Sequence, residues 1–378
     1  MRGLLTVLLL FVLIAAAGGA AFWYLRYVRA PSNVAYITEE DGGITMVDLA
    51  TMQIAHRIRL AKLNPRGLAL TRDGEYLVTS NKNTADLAVF STPRLHLLQR
   101  FHVGANPEFL KMGPTGDTIF ATFEPGSSGG PPKSLDAQTK QAGRGGRSGA
   151  AAGGQADKAD DDDDANAPPA QIATFHVGDW TPGPVMTAGK ETEGLEFSPD
   201  GNLMLVANEA QDSLGIFDRA SHAHIRDFDL KPYGIRPRGI KKSPLGSGYA
   251  LTMEATGTLL LLDLNLTVTK SVPTAEKPYG VAFDRAGKRI FVSAAAARKL
   301  QVFAADTLKL LAEVPTGQRC WHFTFTPDDS KVLLACGRSN NVVIIDANSY
   351  QPLGTIEGLK LPWGIVTYPA SFGSLGLP

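Results

Sequence analysis

The sequence predicts an all-β fold, a seven-bladed β-propeller, and three observations predict it. A motif of the form Pro-x-Gly-aliphatic recurs about every 42 residues along the 378-residue chain. Tight turns and alternating strands follow the motif in the same order in each unit. The two ends of the chain supply complementary fragments of one more unit. A period of about 40–45 residues with four short strands per unit is typical of propellers.

The recurring motif marks the point where each unit begins. One interval between motifs is about twice as long as the others, and it contains an insertion. Within the units, Asp-Gly pairs such as Asp200-Gly201 favour the tight reversal between the first two strands. The motif begins at seven positions: Pro65, Pro107, Thr192, Pro237, Pro278, Cys320 and Pro362.

The two incomplete units at the chain ends predict how the ring closes. The motif at Pro362 is followed by room for one strand, whereas residues 34–60 supply strands that no motif precedes. We therefore expect the C-terminal strand to pair with the N-terminal strands and complete a composite seventh blade. Closure removes the exposed sheet edges that would otherwise template aggregation.

The N-terminal segment, residues 1–30, contains an uninterrupted apolar run at 4–25. The run is long enough to cross a bilayer and exceeds the core of a cleaved signal peptide. We expect a signal anchor in the inner membrane, followed by the propeller at 31–378 on the periplasmic side. Cleavage within 15–21, which would release a periplasmic protein, is the alternative. Arg2 competes with Arg26 and Arg29 for the orientation under the positive-inside rule.

The insertion at about 125–169 is rich in Gly, Ser, Ala and Pro and includes five consecutive aspartates at 160–164. Such a tract buries too little apolar surface to offset the entropy of ordering, so we expect a disordered loop between the second and third strands of its blade. The aspartates lack the spacing of a calcium loop. Lys and Arg balance Asp and Glu at 37 each, without a basic cluster, so no nucleic-acid partner is expected.

One side chain per blade is predicted to surround one mouth of the central channel. The first strand of each blade lines the channel, and the residue after the Pro position begins it. Such a ring could hold a small anionic or planar ligand through arginine forks and aromatic faces. Alternatively the seven side chains pair with one another and fill the mouth. They are Arg66, Glu108, Glu193, Arg238, Tyr279, Trp321 and Trp363.

His322 breaks the repeat at the next position, where five units carry glycine. It lies beside Trp321 and three residues after Arg319, which makes it the strongest candidate for a ligand-facing or proton-transferring group. A packed histidine bonded to the backbone is the alternative. His222 and His224 lack a third ligand, so no metal site is predicted.

The two cysteines lie in one unit, 16 residues apart. If the turn at 327–330 pairs Thr326 with Lys331, Cys320 lies beside Gly337 and Cys336 beside Trp321. This register disfavours a bridge. A shift of one residue would pair the cysteines directly, which leaves a disulfide open.

The units resemble the YVTN-type propeller repeat over roughly residues 33–370, with a Ser-Pro-Asp-Gly turn at 198–201 and a Val-Ala-Asn strand at 206–208. The stretch at 316–328, with Gly-Gln-Arg-Cys-Trp-His, is similar to exported propellers that accompany quinoprotein (PQQ-dependent) alcohol oxidation in bacteria. This resemblance implies a periplasmic accessory role without an established activity. The acidic insertion and the apolar N-terminal run depart from that pattern, which puts a shared partner in doubt.

The expected function is therefore a non-enzymatic binding or scaffold protein for a periplasmic redox or catabolic system, without a cofactor. A quinoprotein dehydrogenase or a cytochrome is the expected partner. The alternative is an enzyme, such as a lactonase, lyase or dehydrogenase, that uses His322 with Glu108 or Glu193 at the channel mouth. A further alternative makes His322 an axial ligand to a d1-type haem. The fold by itself does not separate these functions.

Overall fold

The chain forms a closed ring of seven antiparallel four-stranded sheets. The computed structural model describes residues 32–125 and 168–376. Within those ranges each sheet contains strands that are adjacent in the chain, except the sheet with the order β28-β1-β2-β3. The predicted all-β seven-bladed propeller is therefore confirmed.

The described residues contain 28 strands, and three short 3₁₀ helices connect the second and third strands of three blades at Lys82–Thr84, Glu209–Gln211 and Gly337–Ser339. In chain order the strands are β1 (Val34–Glu39), β2 (Gly43–Asp48), β3 (Gln53–Arg59), β4 (Pro65–Leu70), β5 (Tyr76–Asn81), β6 (Asp86–Ser91), β7 (His96–His102), β8 (Leu110–Met112), β9 (Thr118–Phe123), β10 (Gln171–His176), β11 (Pro182–Thr187), β12 (Thr192–Phe197), β13 (Leu203–Asn208), β14 (Ser213–Asp218), β15 (His224–Asp229), β16 (Pro237–Lys242), β17 (Tyr249–Met253), β18 (Thr258–Leu262), β19 (Val268–Pro273), β20 (Pro278–Phe283), β21 (Arg289–Ala294), β22 (Lys299–Ala304), β23 (Leu310–Pro315), β24 (Cys320–Phe325), β25 (Lys331–Cys336), β26 (Asn341–Asp346), β27 (Pro352–Ile356) and β28 (Pro362–Tyr368).

The composite blade closes the ring as the sequence predicts. Strand β28 is its innermost strand and pairs antiparallel with β1, with Val34 opposite Tyr368 and Ile37 opposite Ile365. Both strands are almost completely buried, because the adjacent blades pack against their two faces. Apolar burial on both faces is the main stabilisation that an inner strand contributes.

A β-bulge recurs near the start of the innermost strand. In β4, β12, β16, β20, β24 and β28 the register with the second strand shifts by one residue within the first four positions. Bulges re-aim a side chain and end regular pairing. The residue after the bulge is often glycine, because the backbone of the next blade lies so close to its Cα atom that a Cβ atom would not fit. A Cβ on Gly194 would lie 2.2 Å from the Arg238 carbonyl oxygen, and one on Gly239 would lie 2.4 Å from that of Tyr279.

Buried hydroxyl groups link neighbouring blades through the carbonyl group of the residue that follows the Pro position. Ser80 Oγ donates to the Glu108 carbonyl at 2.7 Å, Thr252 Oγ1 to the Tyr279 carbonyl at 2.8 Å, and Ser293 Oγ to the Trp321 carbonyl at 3.0 Å. These bonds satisfy carbonyl groups that the interrupted ladder leaves without a strand partner.

The chain continues beyond β28 into the central channel. We call residues 369–376 the C-terminal tail. The tail runs back along β24, where Phe325 N–H donates to the Phe372 carbonyl at 2.8 Å and Ser374 N–H donates to the Phe323 carbonyl at 2.9 Å. Leu375 is buried in the same apolar cluster as Tyr279, Trp321 and Trp363. The tail therefore fills the channel beneath the mouth.

Two predicted segments lie outside the described residues: the N-terminal apolar run at 4–25 and all but the edges of the insertion at about 125–169. The insertion does connect β9 to β10, the second and third strands of its blade, as predicted. Among the described residues, no helix has the length and apolar character needed to cross a membrane.

Cys320 and Cys336 form a disulfide, which corrects the register predicted from the sequence. The pairing of His322 with Ala335 and of Phe325 with Val332 follows the predicted register. The bulge at Trp321 then shifts the pairing by one residue, so Cys320 lies opposite Cys336 with their Cα atoms 3.8 Å apart. The prediction failed because it extended a regular ladder through an irregular position.

Removing residues 362–378 should abolish cooperative unfolding, because the deletion takes away β28 and exposes the edge of β1. Removing only 369–378 keeps β28 and should lower the melting temperature while leaving a cooperative transition. Thermal unfolding followed by circular dichroism compares the two. A 362–378 deletion that melts like the intact protein would contradict the role of β28 in closure.

Replacing both cysteines, Cys320→Ser with Cys336→Ser, should lower the free energy of unfolding by up to about 3 kcal/mol, the loop-closure value for a bridge across some 15 residues. Urea midpoints of the variant and of the oxidised protein measure the difference. Thiol titration of the unfolded, unreduced protein should find no free thiol group, and two free thiols per chain would contradict the bridge.

Candidate functional site

The start of the innermost strands brings the predicted ring of side chains together at one mouth of the channel. All seven are buried except Arg238, which is partly exposed. Contacts between neighbouring blades join them in two groups, a charged group and an aromatic group. The structure thus favours the interpretation in which these side chains pair with one another.

A second column of residues, which the sequence analysis missed, surrounds the same mouth. It consists of the residue that directly follows the second strand of each blade. In five blades this residue is charged, and in the other two it is small. The column is Glu40, Lys82, Glu124, Glu209, Glu254, Ala295 and Gly337. The repeat period contained this signal, since the same alignment that revealed the first column also places the second.

Arg238 is the centre of the charged group. Its Nη1 lies 2.6 Å from a carboxylate oxygen of Glu209 and 2.6 Å from one of Glu254, and its Nη2 lies 3.1 Å from Glu193 Oε1. Nη2 also donates to the Tyr279 hydroxyl at 2.7 Å, and the guanidinium lies over the tyrosine ring, 4.0 Å from its centroid. One largely buried guanidinium therefore holds three carboxyl groups and one phenol.

Arg66 has a similar role on the other side of the mouth. Its Nη1 lies 3.0 Å from Glu108 Oε1, and its Nε lies 3.4 Å from Glu40 Oε2. Burial is the largest cause that raises the pKa of Glu40, although Arg66 and Lys82 oppose it. Both ring arginines are thus engaged by carboxyl groups of the protein itself.

Carboxyl groups outnumber cationic groups in the two columns. They comprise Glu40, Glu108, Glu124, Glu193, Glu209 and Glu254 against Arg66, Lys82 and Arg238. Burial raises the pKa of Glu193 well above its usual value, and the neighbouring Glu108 adds to the shift while Arg238 opposes it. A raised pKa favours the protonated carboxyl group, which relieves part of the excess of negative charge.

His322 belongs to the aromatic group and is 5% exposed. Its ring lies 5.3 Å from the Tyr279 ring and 4.4 Å from the Trp363 ring, between centroids. Burial, aided by the positive charges of Arg238 and Lys241, holds the pKa of His322 well below its usual value. Nδ1 contacts the Ser374 hydroxyl at 3.1 Å, and among the described residues Nε2 has no hydrogen-bond partner. The imidazole is therefore neutral.

Trp321 and Arg319 are the other two predicted residues close to His322 in the sequence. The Trp321 indole packs over Gly337, where a Cβ would lie 1.8 Å from it, which explains the small residue in the second column. Arg319 lies just before β24 at the same mouth, and its carbonyl accepts the Gly337 N–H at 2.9 Å. His222 and His224 lie away from the channel, near the start of the outer strand β15.

A buried ion cluster lies further along the innermost strands, inside the channel. Lys111 Nζ is 3.2 Å and Lys241 Nζ is 3.7 Å from Glu196 Oε2. Lys241 Nζ also donates to the Gly376 carbonyl of the C-terminal tail at 2.7 Å. The two lysines hold the pKa of Glu196 below its usual value despite its burial. This cluster anchors the tail.

Three carboxyl groups of the mouth have oxygens within 4.8 Å of one another, those of Glu191, Glu193 and Glu209. Arg236 pairs with Glu191 at 3.1 Å and Glu209 at 2.6 Å, and Arg238 pairs with Glu193 and Glu209. The guanidinium groups of Arg236 and Arg238 supply at these carboxyl groups the positive charge that a metal ion would otherwise bring.

Comparison with known proteins identifies solved structures of the same fold. No protein-family model matches the chain, and no curated protein matches it. A candidate 6-phosphogluconolactonase from Bacteroides fragilis is 18% identical with a TM-score of 0.68, over 90% of this chain and 99% of that one. The Pseudomonas aeruginosa periplasmic gluconolactonase PpgL is 15% identical with a TM-score of 0.67, over 89% and 98%. The dihydro-haem d1 dehydrogenase NirN is 15% identical with a TM-score of 0.59, over 89% and 75%. These likenesses show the fold.

Glu193 and Glu196, three residues apart on β12, should affect stability in opposite ways. The folded state holds the Glu193 proton at pH values where the unfolded chain has released it, so its contribution falls as the pH rises above about 4.5. Glu193→Gln should therefore gain stability relative to the wild type as the pH rises from about 5 to 8. Urea midpoints at several pH values measure this trend.

Glu196→Gln is the matched control. The lowered pKa of Glu196 stabilises the folded state above pH 4.5, and that stability is lost as the pH falls. The variant leaves Lys111 and Lys241 buried without their carboxylate and should lose about 3–5 kcal/mol at neutral pH. The same pH trend in both variants would contradict these assignments.

Proposed function

We propose that the protein is an enzyme that hydrolyses a small lactone at this mouth of the propeller channel. The observation that carries the proposal is the neutral base His322 and the proton-holding acid Glu193 at one mouth, connected through Tyr279 and Arg238. Titratable groups with strongly displaced pKa values concentrate at functional sites. Two of the structural neighbours have gluconolactonase in their names, which supports the choice of substrate class.

The four side chains match the needs of lactone hydrolysis. His322 Nε2 takes a proton from water while the water oxygen bonds to the carbonyl carbon. The Arg238 guanidinium and the Tyr279 hydroxyl donate hydrogen bonds to the oxyanion that develops. When the bond from the carbonyl carbon to the ring oxygen breaks, Glu193 gives its proton to that oxygen. The proton on the imidazolium then returns to the Glu193 carboxylate, and the product is a hydroxy acid.

Access to His322 requires a movement of the aromatic group. The Tyr279 and Trp363 rings cover the imidazole in the structure, so a substrate reaches Nε2 only after one ring rotates. The rim of the mouth is more open, since the Lys277 side chain is 41% exposed and that of Arg236 is 21% exposed. An entering lactone would meet these side chains first.

A non-enzymatic binding protein is the second candidate function, and the engagement of Arg66 and Arg238 by the protein's own carboxyl groups favours it. Buried ion-pair networks of this kind also occur as purely structural features and shift pKa values without catalysis. An anionic ligand would have to displace Glu108 or Glu209. In that case the mouth would bind a neutral or cationic group rather than the anion that the arginines alone suggest.

The setting we propose for the protein is the periplasmic side of the inner membrane, held by residues 4–25. The disulfide between Cys320 and Cys336 supports an oxidising compartment. A quinoprotein dehydrogenase or a cytochrome remains the proposed partner, on the resemblance of the 316–328 stretch. A d1-type haem on His322 is a weaker proposal, because binding would have to displace the covering rings. An absorbance spectrum after supplying haem tests it, and the lack of a Soret band would reject it.

His322→Ala should lower kcat/KM for the hydrolysed lactone by about 10²- to 10⁴-fold, the usual contribution of a general base. Initial rates against a panel of aldonolactones in a pH-stat give the measurement. Glu193→Gln removes the acid while keeping the shape and should lower kcat with little change in KM.

His176→Gln is the control, because His176 is exposed at the end of β10, a third strand well away from the channel. It should leave turnover unchanged. If the wild type hydrolyses none of the lactones while it is folded, the enzymatic proposal fails and the binding function stands.

A further inference from the structure

Ser374 of the C-terminal tail connects the channel interior to the proposed base. Its hydroxyl oxygen lies 3.1 Å from His322 Nδ1, 3.0 Å from the Phe323 amide nitrogen and 3.1 Å from the Phe323 carbonyl oxygen. Ser374 is buried, and its backbone N–H donates to the same carbonyl at 2.9 Å. Backbone bonds on both sides therefore fix the hydroxyl group.

The hydrogen-bonding capacity of a hydroxyl group determines how these three contacts can be satisfied. A serine hydroxyl donates one hydrogen bond and accepts two. The Phe323 amide can only donate to it, and the Phe323 carbonyl can only accept from it. The one remaining lone pair of the hydroxyl then faces His322 Nδ1, which must donate. If the hydroxyl donated to Nδ1 instead, two oxygens would face each other at 3.1 Å without a proton between them.

We infer that Ser374 holds His322 in the tautomer that carries its proton on Nδ1, with the Nε2 lone pair unprotonated. Ser374 is thus a positioning residue, and the tail is part of the site. The inference deepens the proposed function, on which it rests for its catalytic meaning, because a base must present a lone pair. Among the described residues no polar atom bonds Nε2, so an Nε2–H group would be a buried donor without an acceptor.

The aromatic contacts hold the ring plane while Ser374 selects the tautomer. Tyr279 meets the imidazole edge to face at an interplanar angle of 82°, and Trp363 lies tilted against it at 58°. Neither ring forms a hydrogen bond with Nε2 in this arrangement, since Nε2 has no hydrogen-bond partner among the described residues. The tautomer therefore depends on the one hydroxyl group at Nδ1.

Ser371 provides a matched control on the same tail. It is buried, and its hydroxyl donates to the Phe325 carbonyl at 2.5 Å and contacts the Thr367 hydroxyl at 2.6 Å. It makes comparable hydrogen bonds without contacting His322. Ser371→Ala should therefore disturb the tail as Ser374→Ala does, while leaving the imidazole as it is.

Nitrogen NMR of protein with ¹⁵N-labelled histidine tests the inference directly. His322 is one of seven histidines, and its signals are those missing from His322→Gln. We expect a protonated Nδ1 and a bare Nε2 in the wild type and in Ser371→Ala. Ser374→Ala should lose this pattern and move toward Nε2 protonation, with a fall in kcat and little change in KM.

A protonated Nε2 in the folded wild type would overturn the inference, and so would a Ser374→Ala spectrum with the wild-type tautomer. The wild-type spectrum tests which nitrogen of His322 carries the proton even if Ser374→Ala fails to fold. The two proposals can fail separately: an Nδ1–H tautomer in a protein that turns over no lactone rejects the catalysis and keeps the role of Ser374.

Discussion

The antiparallel pairing of β28 with β1 is the contact on which the rest of the structure depends. It turns seven sheets into a ring, and a ring gives each blade two neighbours and no exposed inner edge. The mouth exists only when all seven innermost strands converge. Strand β28 also contains Trp363 and leads into the tail that carries Ser374. The strand that closes the fold therefore also places two of the side chains that contact His322.

The bulge near the start of six of the seven innermost strands connects the fold to the site. In each of these blades it takes one side chain out of the regular ladder and places it over the channel, where neighbours from adjacent blades meet. The hydroxyl groups of Ser80, Thr252 and Ser293 donate to carbonyl groups of the next blade at this end of the innermost strands. The cost of burying charge at the mouth is offset by the pairing of each guanidinium with several carboxyl groups.

The repeat allowed the sequence to predict the blades, the composite closure and the ring of side chains at the mouth, because a residue's place in a repeat fixes its place in a propeller. It did not predict the disulfide, since the bulge at Trp321 has no sequence signature of its own and shifts Cys320 by one residue. The carboxyl groups of Glu209 and Glu254 were missed although they occupy a regular column. The contact of Ser374 with His322 could not be predicted for a different reason. The tail has no equivalent in the repeat, and its contacts join residues about 50 apart in the chain.

The arrangement of the composite blade also sets the order of events in biosynthesis. Strands β1 to β3 and β28 are separated in the chain by the other six blades, so the composite blade and the ring can close only after those six blades have been made. The tail can enter the channel only after that. Until β28 pairs with β1, the mouth lacks Trp363, and the tail cannot bring Ser374 to His322.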